Sequence, residues 1–379
     1  MIDETRLLNL FVKLCRINTP PLAEKPLVDF VQAHLEQMGL VCCRDNAHIQ
    51  LGGDTGNLIA TLPANVPHAP SLFFSAHFDT VEPNPDVPII IDDGVVHTDG
   101  SAILGADDKG GMAPIIEAVQ VLIEDDLPHG EIQLLFSIAE EIGVCGAKHM
   151  DKNLITSRMG YVLDTGPPVG GITVTAPTHD ILDITITGKP AHAGAEPEKG
   201  VSAIVVAAEA IGSMRLGRID EMTTANIGVI HGGTATNIIP AQVKIRAEAR
   251  SRDSERLKIQ IQHMKDSFEI AAKNHGATVA MEVTREYETY TLPHDSPVIQ
   301  LAHDAAMDIG LKPILRAGGG GSDANEFNRV GIPACVLGTG MTAVHTHQEH
   351  ISVADMKKSA AWLLAIVRRS LNSEKESIG

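Results

Sequence analysis

Leu134-Leu135-Phe136-Ser137-Ile138-Ala139-Glu140-Glu141 is a short apolar run that stops on two adjacent carboxylates. Its length is that of a strand. Apolar residues on both faces mark a strand buried from both sides, as in a parallel sheet. Three other apolar segments also lead into metal-type ligands: Leu72-Phe73-Phe74-Ser75-Ala76 into His77-Phe78-Asp79, Gly160-Tyr161-Val162-Leu163 into Asp164, and Ala334-Cys335-Val336-Leu337 towards His345. Open α/β sheets bind ligands outside the carboxyl ends of their strands. The pattern predicts an α/β fold with a metal centre at that edge.

The bulk properties narrow the function. A chain of 379 residues exceeds one ordinary core, so two domains are expected. A formal charge of −18, from 30 basic and 48 acidic residues, argues against nucleic acid or an anionic membrane as partner. No apolar stretch reaches the roughly 18 to 20 residues that span a bilayer. The start, Met1-Ile2-Asp3-Glu4-Thr5, lacks the basic and apolar regions of a signal peptide. Cys15, Cys42, Cys43, Cys145 and Cys335 form an odd set without a Cys-x-x-Cys, so a reducing cytoplasm is expected.

Along the chain, two amphipathic helices come first, one carrying Leu7, Leu8, Phe11 and Leu14, the other Leu27, Val28, Val31 and Leu35. Residues 82–101 are rich in Pro, Asp and Gly and read as a loop with one short hairpin. Leu104-Gly105-Ala106-Asp107-Asp108-Lys109-Gly110-Gly111 then opens a helix, and it is not a phosphate loop because no Ser or Thr follows the Lys. Between about Thr178 and Tyr290 the order β-α-β-β-α-β is that of a ferredoxin-like α+β unit, read as an insertion. The expected division is residues 1–177 and 292–379 as one α/β domain, with 178–291 inserted and hinges near Gly171 and Pro293. The final helix begins at Ser352, where Asp355 would complete a capping box, and the last eight or so residues read as a tail.

The chemistry lies in the flanking segments. His77 and Asp79 are two apart at a strand end and share a face, so His77 can bind a metal while Asp79 takes the proton on its other ring nitrogen. Asp107-Asp108 is a Gly-bounded carboxylate pair, which alone would be a helix N-cap. Adjacent side chains diverge, so Glu140 and Glu141 divide their labour, one on metal and the other a general base. His345, His347 and His350 share one loop, which alone could be polar surface. Oxygen ligands with two imidazoles suit zinc, cobalt or manganese better than calcium. His77, Asp107, Glu141, Asp164 and His345 would give two ions one His each, an acid each and one shared carboxylate.

These motifs, with Gly188-Lys189-Pro190-Ala191-His192-Ala193-Gly194, Thr236-Asn237-Ile238-Ile239-Pro240, Gly320-Gly321-Ser322-Asp323 and Glu349 four residues after His345, resemble the M20 metallopeptidase family and, within it, the peptidase T-like branch. The matches are collinear over nearly the whole chain. The resemblance implies a zinc-peptidase catalytic domain with a mixed, mostly parallel sheet, interrupted by a lid that dimerises. It implies two Zn2+ ions, replaceable by Co2+ or Mn2+, with His77 and Asp164 on one, Glu141 and His345 on the other, and Asp107 bridging. His347 is the fallback for His345. Glu140 would be the general base, Asp79 the orienter of His77, and the Asp107-Asp108 peptide cis. His192 would reach across a homodimer to stabilise the oxyanion, and Asn237, Arg250 and Arg316 would hold the substrate. The expected activity is aminopeptidase action on di- or tripeptides. The stretch between Asp79 and Asp107 is shorter than in peptidase T proper, which keeps a deacylase of N-acyl amino acids as the alternative.

Overall fold

The structure, a computed structural model, describes residues 1–83 and 87–371. Part of the loop expected at 82–101 and the expected tail therefore lie outside the described residues. The chain forms two compact units, Met1–Thr175 with Thr291–Gly379, and Ala176–Tyr290. Thr175 and Thr291, where the chain leaves and re-enters the larger unit, have their hydroxyls 2.8 Å apart.

The larger unit is built on a mixed sheet with a parallel centre. Strands Ile132–Ser137, Leu72–His77, Met159–Val162 and Ala334–Leu337 lie side by side, each parallel to the next. Leu58–Leu62 and then Val41–Arg44 add antiparallel on one side. On the other, Gly171–Ala176 is antiparallel to Ala334–Leu337 and carries Ile314–Ala317 parallel to itself. Every residue of Leu72–His77 and Ile132–Ser137 is buried, which is why their sequences show no polar alternation. Each large apolar side chain enclosed there contributes about 1.5–3 kcal/mol. Gly160 has a packing reason: a Cβ on it would lie 2.3 Å from the Phe73 ring, which packs on Phe327 with centroids 4.7 Å apart.

Helices cover the sheet by their apolar stripes. Helix Glu4–Cys15 buries Leu7, Leu10, Phe11, Leu14 and Cys15, with Asp3 accepting from the amides of Thr5 and Arg6 as its cap. Leu10 takes the place expected for Leu8, because i+3 from Leu7 and i−4 from Leu14 is the inward position. Helix Lys25–Gln37 buries Leu27, Val28, Val31 and Leu35. In helix Val353–Ser370, Ser352 accepts from the Asp355 amide at 3.0 Å, but the Asp355 carboxylate pairs with Lys358 instead of completing a capping box. The complete box is Ser322 with Asn325, at the start of helix Asp323–Arg329. The expected hairpin is Ile89–Asp92 with Val95–Thr98, and His350–Ser352 adds to it as a third strand.

The smaller unit is an antiparallel sheet of strands Thr178–Thr187, Thr223–Gly232, Gln242–Ser251 and Thr278–Tyr287, with helices Ala203–Ser213 and Ser254–His275. It has its own core, in which Leu182, Ile184 and Ile186 meet Leu257, Met264 and Phe268. Asp253 caps the long helix and Gly276, left-handed, ends it. Among the described residues no helix is long and apolar enough to cross a membrane.

Candidate metal centre

Each of the four parallel central strands leads to a candidate metal ligand at or beyond its carboxyl end. His77 is the last residue of its strand, and its Nδ1 lies 3.0 Å from the carbonyl oxygen of Asp79. A carbonyl only accepts, so Nδ1 carries the hydrogen and Nε2 faces outward. Nε2 lies 3.1 Å from Asp107 Oδ1. An imidazole lone pair does not face a carboxylate oxygen at that distance unless a proton or a cation sits between them. On the far side of Asp107, His345 Nε2 is 3.1 Å from Oδ2 and 3.3 Å from Glu141 Oε1. Two ligand sets result, His77 with Asp107 and Asp164, and Asp107 with Glu141 and His345, the atoms of each lying within 4.8 Å of one another. Asp107 is common to both. His347 turns away to Glu82, 2.9 Å distant.

Asp79 faces His77 with both of its oxygen groups, its carbonyl 3.0 Å and its carboxylate 3.5 Å from Nδ1. The carboxylate also reaches the acid pair: Oδ1 accepts from the amide of Glu140 at 2.9 Å and Oδ2 from that of Glu141 at 3.0 Å. One residue thus orients both His77 and the Glu140-Glu141 pair. Glu140 is buried and belongs to neither ligand set.

The local backbone is specialised. The Asp107-Asp108 peptide is cis, and Gly105, Ala139 and His345 have φ of 72°, 52° and 62°. Left-handed backbone at a non-glycine residue costs of order 1–3 kcal/mol and persists where surrounding contacts hold it. Gly111 permits a close approach: a Cβ there would meet the Leu163 carbonyl at 2.2 Å, beside Asp164.

The electrostatics ask for added positive charge. Burial pushes the carboxyl groups of Glu140, Glu141 and Asp164 up, and neighbouring carboxylates add to it. Burial would also raise Asp107, but the His345 and His77 imidazoles hold it below the usual carboxylate range. His345 is pushed up to about 10 by Asp107 and then Glu141. Glu141 Oε1 is buried, with His345 Nε2 at 3.3 Å. Two imidazole nitrogens and converging buried carboxylates fit a pair of divalent ions of the zinc, cobalt or manganese type.

The remaining candidate residues are placed as follows. In the smaller unit, His192 Nδ1 accepts from the amides of Gly194 and Ala195, both at 3.1 Å, so its hydrogen is on Nε2. The Asn237 carbonyl accepts from the Ala193 amide at 2.9 Å, which joins the two loops. Arg250, half-buried on strand Gln242–Ser251, pairs with Glu248 at 2.9 Å. In the larger unit, the Arg316 guanidinium donates to the carbonyls of Pro167 and Gly166 at 2.8 and 2.7 Å, in the loop after Asp164. Sequence reasoning passed over Glu24 and Asn57, which nothing in the spacing separates from ordinary caps and turns. Asp323, quoted only as part of its motif and given no role, accepts from Ser137 Oγ at 2.5 Å.

Comparison with known proteins places this geometry. The model of peptidase family M20/M25/M40 matches residues 73–369. The uncharacterized protein YqjE of Bacillus subtilis strain 168 is 40% identical over 370 residues, covering 98% of this chain and all (100%) of that one. Among solved structures, aminopeptidase PepT from Bacillus cereus is 41% identical with a TM-score of 0.87, covering 97% of this chain and 99% of its own. A tripeptidase from Staphylococcus aureus is 38% identical with a TM-score of 0.93, covering 98% and 100%. This chain belongs to peptidase family M20/M25/M40, and it is a metal-dependent peptidase.

Proposed function

We propose that the protein is a di-zinc aminopeptidase of short peptides, di- or tripeptides with a free amino terminus, with Glu140 as general base. The observation that carries this reading is the pair of ligand sets sharing Asp107, with a buried carboxylate, Glu140, held beside them but belonging to neither. The likeness to an aminopeptidase and a tripeptidase at about two-fifths identity supports the substrate class.

His77 and Asp164 are assigned to one ion, Glu141 and His345 to the other, and Asp107 to both. Such ions, when bound, supply the charge that polarises a scissile carbonyl and acidifies an attacking water. Glu140 accepts the proton of that water and delivers it to the leaving amine. Asp79 holds the amides of Glu140 and Glu141, and so fixes both carboxylates. His192, with its hydrogen on Nε2, is the donor proposed for the developing oxyanion, supplied from a second copy of the chain. Asn237 and Arg250 are the proposed substrate contacts. Arg316, whose donors are engaged by the 165–167 loop, is proposed to act by bracing the segment after Asp164.

A homodimer through the smaller unit is part of this reading. Its short strand Gly217–Arg218 covers only Thr224 and Ala225 of strand Thr223–Gly232. The uncovered stretch carries Val229 and Ile230, 44% and 50% exposed. An open apolar strand edge is a template for pairing with another chain.

The test is hydrolysis by the zinc-loaded protein of a dipeptide, a tripeptide, the same tripeptide acetylated at its amino terminus, and an N-acetyl amino acid. Cleavage of the free-amine peptides alone is expected. Cleavage of the N-acetyl amino acid instead would move the chain to deacylase chemistry.

A further inference from the structure

Strand Ile132–Ser137 ends just short of the carboxylate pair, so the next four amides lose their ladder partners. Each is met by a buried side-chain oxygen. Ile138 donates to Asn57 Oδ1 at 3.0 Å, Ala139 to Glu24 Oε1 at 2.9 Å, Glu140 to Asp79 Oδ1 at 2.9 Å and Glu141 to Asp79 Oδ2 at 3.0 Å. Ala139, in the left-handed region, is the residue at which the chain turns. Beyond the turn, the Glu140 carbonyl accepts from Gly143 and Val144 at 3.0 and 2.7 Å, which closes it from the other side.

The two outer supports are themselves fixed. Glu24 is fully buried, and its Oε1 also accepts from the amide of Leu22 at 2.9 Å. Asn57 is fully buried, and its Nδ2 donates to Asp45 Oδ2 at 2.7 Å and to the Gly146 carbonyl at 3.0 Å, which sets the orientation of the amide. Neither residue belongs to a ligand set. We propose that Glu24 and Asn57 are positioning residues for Glu140, setting where its carboxylate stands relative to the two ligand sets without touching either. This rests on the reading of Glu140 as general base.

A base displaced by about 1 Å costs on the order of 100-fold in rate, so a fixed turn is worth two buried side chains. Burial, with the Asp79 charge adding to it, pushes the Glu24 carboxyl up to about 7. The neutral carboxyl, which Gln imitates while keeping Oε1 as acceptor, is therefore accessible near neutral pH.

The test compares zinc-loaded wild type, E24A, E24Q, N57A and E140Q in steady-state kinetics on a tripeptide. Metal content is measured alongside, with hydrogen exchange of the peptide spanning 138–141. E24A and N57A are expected to keep both ions and a KM within about twofold, to lose at least about tenfold in kcat, and to exchange faster at 138–141 alone. E24Q is expected to stay within about threefold of wild type, because its carbonyl still receives the Ala139 amide. An E24A kcat equal to wild type, or an E24Q loss as large as that of E24A, overturns the proposal. Should E24A not fold, unchanged exchange at 138–141 in N57A overturns it. E140Q separates the two levels. An inactive E140Q beside an active E24A removes the positioning role alone, and a fully active E140Q removes the general base itself.

Discussion

Glu349 Oε1 accepts a hydrogen bond from the backbone amide of Asp107 at 2.9 Å, while its Oε2 accepts from Gly105 at 2.7 Å. The loop that carries His345 is thereby tied to the loop that carries the shared carboxylate, across 242 residues of sequence. Glu349→Ala would leave two amides without acceptors and free the loops from each other. Metal affinity is expected to fall by about 10- to 100-fold, the usual effect of losing a ligand's support. Competition against a chromogenic chelator measures it, and Glu349→Gln, which keeps an acceptor oxygen, should lose less. Equal affinity in wild type and the Ala variant would refute the tie.

In the proposed mechanism Glu140→Ala removes a proton acceptor but no ligand. Both ions should remain by elemental analysis, while kcat falls by about 100- to 10,000-fold. Loss of an ion in this variant would place Glu140 on metal instead.

Removing the metal should cost stability in a pH-dependent way. His345 is raised to about 10 in the folded metal-free protein. The stability it contributes is full below its unfolded value of about 6.5 and is lost as pH rises through the folded value. Glu140, Glu141 and Asp164 act in the same direction, since carboxyl groups pushed up favour the protonated folded state. Asp107 is lowered, so its contribution disappears only at acid pH. The metal-free Tm should therefore fall from about pH 6.5 towards 9, and the gap to the metal-loaded protein should widen. Scanning calorimetry with and without chelator checks this; a metal-free Tm that is flat over that range would contradict it.

His192→Ala should lower kcat by about 100- to 1,000-fold with metal content unchanged. If the residue acts across a dimer, mixing His192→Ala with Glu140→Ala chains after subunit exchange should restore activity. Statistical heterodimers would each hold one intact site, giving about a quarter of the wild-type rate. No recovery in chains shown by light scattering to have exchanged would confine His192 to its own chain, and a monomer would remove the cross-subunit role.

The fold and the two candidate ligand sets were legible because they obey short-range rules. A strand buried on both faces must be a continuous apolar run, and a side chain that reaches the site follows close on its end, as His77, Glu141 and Asp164 do. The inserted unit was legible from its alternating strands and two helices, each with its own apolar face. Only the tertiary structure decided what holds the ligands in place. It tied the Asp79 carboxylate to the amides of Glu140 and Glu141, sent His347 to Glu82 and engaged Arg316 with backbone carbonyls. It also brought Asn57 and Glu24 to Ile138 and Ala139 across 81 and 115 residues. A hydrogen bond over such a separation leaves no period in the chain. It depends on where several strand ends and loops come to rest together, which no local pattern of residues specifies.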